Sequence, residues 1–93
     1  MRLSGEEVQL IKDAVYAFDP DAKVYLFGSR TNSQKRGGDI DLLIISQQID
    51  FHTKRELRLK LYDALGEQKI DLLVTPHPST PMEQIALQEG ILL

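Results

Sequence analysis

The apolar residues change their period several times along the chain, and each change marks an element. Val8, Ile11, Val15 and Phe18 recur at helical spacing behind Ser4, and Glu7 stands three residues after that serine, the arrangement of a capping box. A helix over Gly5–Phe18 is predicted, ended by Asp19-Pro20-Asp21 because the residue before a proline is pushed out of the helical region. Lys23–Phe27 is short and rich in β-formers, so it reads as a strand that stops at Gly28. Residues 30–38 are small, polar or basic and read as a loop. Residues 39–46 form a second strand, whose unbroken run Leu42-Leu43-Ile44-Ile45 predicts cover on both faces.

The second half of the chain follows the same logic. Over residues 53–65, Leu57, Leu61, Ala64 and Leu65 share one helical face, while Lys54, Arg55, Arg58 and Lys60 fall mostly away from it and read as a solvated surface. Gly66 sits where a glycine stops a helix. Residues 69–75, KIDLLVT, are a third strand. Thr80, Pro81 and Glu83 then give the cap, first-turn proline and third-position acid of a last helix, which presents Met82, Ile85 and Ala86 and runs to Glu89 before Gly90. Ile91-Leu92-Leu93 is expected to add a short edge strand or a docking tail. Helices packed against one small sheet, an α/β layer, account for this order.

Two acids conflict with that pattern. Asp39 and Asp41 stand at the root of an apolar strand, where a carboxylate is costly unless something compensates it, and a divalent cation compensates it most strongly. Residues two apart on a strand face the same side, which places the two Cα atoms about 6.5 to 7 Å apart. Asp71 lies near the start of the third strand in a similar setting, so if the two strands are neighbours all three acids can converge at one sheet end. Hard oxygen ligands completed by waters and phosphates describe a magnesium site. Gly28-Ser29 supplies a close backbone approach, an amide and a hydroxyl for phosphates, and Arg30, Lys35 and Arg36 add positive charge, Arg30 foremost because it follows the turn directly.

Composition narrows the chemistry further. The chain has 93 residues, enough for one domain over 1–93 but not for a second domain to hold a substrate. It has no cysteine and only two histidines, far apart, so any metal is expected on oxygen rather than on thiolate or zinc-type ligands. A net charge of −3 argues against nonspecific binding to a nucleic-acid backbone. No membrane-length apolar run or signal-peptide pattern is present, and a cytoplasmic location is expected.

The same residues carry a resemblance. A Gly-Ser pair, then after nine residues Asp-x-Asp in an apolar strand, then a later Asp in another strand, resembles the signature of the DNA polymerase β-like nucleotidyltransferase superfamily, and a chain this short resembles its minimal branch of MNT or MntA-like proteins. The resemblance spans residues 24–74. It implies the fold of that superfamily, α/β (α+β), with a single small mixed β-sheet flanked by helices. It also implies that Asp39, Asp41 and Asp71 are catalytic and hold two magnesium ions, and that Gly28, Ser29 and Arg30 grip the nucleotide phosphates. ATP is the implied substrate, and AMP the group transferred to a hydroxyl. Minimal members are commonly encoded beside a HEPN-domain ribonuclease, for which they act as antitoxins and which they can adenylylate on a tyrosine.

Taken singly, these features have plainer meanings. Most Asp-x-Asp pairs are solvated strand ends, most Gly-Ser pairs are turns, and a basic loop is usually only solvated. Their order and strand context together favour a metal-dependent enzyme over these plainer meanings, and the resemblance implies a nucleotidyltransferase acting on a partner protein, with a HEPN toxin as that partner. A non-catalytic antitoxin of the same fold is the alternative, and transfer to a small molecule such as an antibiotic is a third reading.

Overall fold

Ser4 and Glu7 close a reciprocal cap at the start of the first helix. The Ser4 hydroxyl accepts from the Glu7 amide at 3.1 Å, and the Glu7 carboxylate accepts from the Ser4 amide at 3.0 Å. The computed structural model describes residues 3–28, 40–66 and 69–93. They form α1 (Gly5–Phe18), β1 (Lys23–Phe27), β2 (Ile40–Ile45), α2 (Phe51–Leu65), β3 (Ile70–Thr75), α3 (Pro81–Glu89) and β4 (Ile91–Leu92). Thr80 and Glu83 repeat the reciprocal cap at α3, with Pro81 in its first turn.

Three boundaries differ from those predicted, among them the start of β3, which lies at Ile70 rather than Lys69. α2 begins at Phe51, two residues before the expected start, because Asp50 caps it and accepts from the Thr53 amide at 2.8 Å. Phe51 is 80% exposed and stands outside the apolar period, so periodicity gave no sign of it. Ala64, expected on the buried face of α2, is exposed; Leu57 and Leu61 alone are fully buried there. β2 ends at Ile45, one residue before the expected end, although the Ser46 amide still donates to the Thr75 carbonyl at 3.0 Å.

The sheet runs β3-β2-β1-β4 and is mixed. β1 lies antiparallel to both β2 and β4, and β2 lies parallel to β3, with α2 as the crossover that a parallel pair requires. β2 is thus interior, and its burial follows. Leu42 and Ile44 enter a core made with Ile11 and Val15 of α1 and Leu57 and Leu61 of α2. Leu43 points to the other face and is also fully buried; α3 packs on β1 and β2 there, with its Ala86 buried. The β4 strand confirms the edge-strand reading of the chain's last residues.

A buried polar clamp ties the end of α1 to the end of β2. Asp19 is 2% exposed, and its carboxylate accepts from the Ser46 hydroxyl at 2.5 Å and from the Asp21 amide at 2.9 Å. The Ser46 oxygen accepts in turn from the Gln48 and Ile49 amides. These bonds satisfy a carboxylate that the core would otherwise leave stranded. Among the described residues, no helix is long and apolar enough to cross a membrane.

Candidate functional site

The parallel pairing of β2 with β3 sets Asp41 directly opposite Asp71. Parallel register partners project to the same face, so both carboxylates stand on the side away from the main core, while Ile40, Leu42, Ile70 and Leu72 fill that core. Both acids are half-buried and sit one residue inside the starts of their strands. Charges at this position keep contact with water, and the apolar residues behind them fix their direction.

On its other side Asp41 faces Phe27, the last residue of β1, and the chain turns immediately afterwards at Gly28. Gly28 has φ of +77°, a conformation that other residues adopt only at a cost. A Cβ at this glycine would run into the Asp41 carboxylate, with the Asp41 Cγ 3.1 Å away. The missing side chain is therefore what lets the carboxylate lie against the turn.

Asp41 and Asp71 share a cavity of about 330 Å³ with Phe27, Arg58, Leu72, Leu73 and Met82. Since it reaches both Leu72 and Leu73, which face opposite sides of β3, the cavity wraps the edge of that strand. Arg58 reaches it from α2 and donates from Nη1 to the carbonyl of Ile70 at 3.3 Å. Arg58 is half-buried, as is Lys54, so both depart from the solvated face expected for Lys54, Arg55, Arg58 and Lys60. A long arginine stem can run along apolar surface and deliver its charge beyond it, which periodicity alone does not reveal.

The donor set of the cavity is oxygen from two carboxylates, with no imidazole, and it fits a hard cation such as magnesium. Among the described residues no group of three potential metal ligands occurs. Asp39, expected as a third ligand, lies outside the described residues, as do Ser29, Arg30, Lys35 and Arg36. A larger hollow of about 410 Å³ lies at the opposite end of β2, near Ser46. Its one buried acid, Asp19, is already bonded to Ser46 and Asp21.

Comparison with known proteins identifies the family. The chain is 32% identical over 73 residues to a protein named "Probable protein adenylyltransferase MntA" from Haemophilus influenzae, a match that covers 76% of this chain and 64% of that protein. Residues 9–93, which include Gly28, Asp41 and Asp71, match the family described as "Polymerase beta, Nucleotidyltransferase". The chain belongs to the polymerase beta nucleotidyltransferase family.

Proposed function

We propose that this chain is a magnesium-dependent nucleotidyltransferase that moves a nucleoside monophosphate, AMP from ATP, onto a hydroxyl of a partner protein. The observation that carries the reading is the in-register pair Asp41 and Asp71 beside the Gly28 turn, in a cavity open to solvent. The name of the Haemophilus influenzae relative supports protein as the acceptor. In this reading the partner is a HEPN-domain toxin, and the chain is its cytoplasmic antitoxin.

Asp41 and Asp71 would hold the cation from adjacent strands, with Asp39, two residues before Asp41 in the sequence, as a further ligand. Bound magnesium supplies charge stabilisation at the phosphates and acidifies the attacking hydroxyl. Gly28 and Ser29 offer backbone and hydroxyl donors to the β and γ phosphates, and Arg30 adds charge. The acceptor oxygen attacks the α phosphorus in line and the bond to the bridging oxygen of the β phosphate breaks. Pyrophosphate leaves, and the hydroxyl proton passes to Asp71.

A labelled-ATP assay with magnesium and the toxin tests this, comparing wild type with Asp39→Asn/Asp41→Asn. Label is expected on the toxin with wild type only. A wild type that transfers no label yet still suppresses the toxin would instead support a contact-only antitoxin, a second reading favoured by the exposed Met82 and Ile85 of α3.

A further inference from the structure

Arg58 is a cation set beside two acids, and the two sorts of charge make opposite demands on what the cavity binds. Asp41 and Asp71 attract a divalent cation, whereas the guanidinium repels it. A cavity meant for a bare metal ion has no use for that arginine. A metal that arrives on a polyphosphate carries net negative charge, and then the carboxylates meet the metal while the guanidinium meets phosphate oxygens.

The bonding of Arg58 fits this division. One donor, Nη1, is held by the Ile70 carbonyl, at the residue just before Asp71, so the head group is anchored next to the acid pair. The guanidinium has five N–H donors, and no other bond or ion pair joins it to a described residue. Its planar fork matches phosphate oxygens.

We propose that Arg58 is a phosphate-binding residue of this site, which makes the cavity select a metal–polyphosphate complex over the free metal. This rests on the nucleotidyltransferase reading above.

The test is calorimetric titration of the purified full chain with Mn2+ alone, and with Mn2+ plus a non-hydrolysable ATP analogue, for wild type, Arg58→Gln and Arg58→Lys. Thermal melts confirm that each variant is folded. For Arg58→Gln, Mn2+ alone binds about two- to fivefold more tightly because the repulsion is gone. The complex binds about 10- to 100-fold more weakly because a charge-assisted contact is lost. Arg58→Lys keeps the wild-type response to Mn2+ and recovers part of the affinity for the complex. A general disturbance of the site would weaken both ligands, so opposite signs are the signature of the proposed role. Arg58→Gln affinities that fall together, or do not change, overturn it while leaving the nucleotidyltransferase reading standing. A wild type that binds neither Mn2+ nor the complex overturns that reading and this role with it.

Discussion

Asp41 and Asp71 are direct partners across the parallel β2–β3 ladder, so two like charges stand side by side at one end of the sheet. Like charges directly opposite one another on neighbouring strands destabilise a sheet. Asp71→Asn is therefore expected to raise the melting temperature of the metal-free protein slightly and to abolish the further rise that the proposed metal site predicts for wild type in Mn2+. Thermal melts with and without Mn2+ check this, and a variant less stable than wild type in the absence of metal would contradict it.

Gly28→Ala probes the same carboxylate from the turn. The substitution places a methyl against the Asp41 side chain at a backbone with φ of +77°. A residue forced into that conformation costs about 1 to 3 kcal/mol. We expect a loss of that size in urea unfolding, together with a Mn2+ affinity lowered by about tenfold or more as Asp41 is displaced. Gly66 also has positive φ but nothing near its would-be Cβ, so Gly66→Ala should lose stability without touching Mn2+ binding.

The Asp19–Ser46 clamp predicts a stability effect with no direct effect on chemistry. Ser46→Ala removes the hydroxyl that donates to a carboxylate only 2% exposed. Leaving such a group short of a partner costs about 1 to 3 kcal/mol. Urea unfolding of Ser46→Ala, Asp19→Asn and the double variant should show coupling between the two positions. Mn2+ affinity should be unchanged, since the clamp lies at the far end of β2 from Asp41.

Two helix caps set an acid-side dependence. Amide hydrogen bonds hold the Asp50 carboxylate below its ordinary range, chiefly the one from Thr53, and those from Ser79 and Thr80 do the same for Glu83. A carboxyl lowered in the fold contributes stability above its unfolded value, and that contribution fades as pH falls through the folded value. Asp50→Asn and Glu83→Gln should therefore differ from wild type in melting temperature at neutral pH, and the differences should shrink as the solution becomes more acidic than the carboxylate range. A gap that stays constant with pH would show that the caps do not act through their charge.

Burial of β2 on both faces gives a last comparison. Leu43 is fully buried on the α3 side, whereas Leu59 is 64% exposed on α2. Leu43→Ala should cost about 2 to 5 kcal/mol in urea unfolding and Leu59→Ala close to nothing.

Local signals in the sequence determined the elements of this protein. Ser4 with Glu7 and Thr80 with Glu83 marked two helix starts, because a cap is made between residues three apart. The period of the apolar residues separated strands from helices, and the unbroken run after Asp41 marked an interior strand. The start of α2 was missed because Phe51 faces solvent and leaves no apolar period to read. Gly28, Asp41 and Asp71 stood out as residues at odds with their strand surroundings, but their meeting was conditional on strand order. The tertiary structure decided that order and with it the register of Asp41 on Asp71, because pairing between strands separated by a helix is a long-range contact that no local pattern specifies. It also turned Arg58 from a surface residue into a wall of the acid cavity, since the reach of a long side chain around a sheet edge depends on where the edge lies.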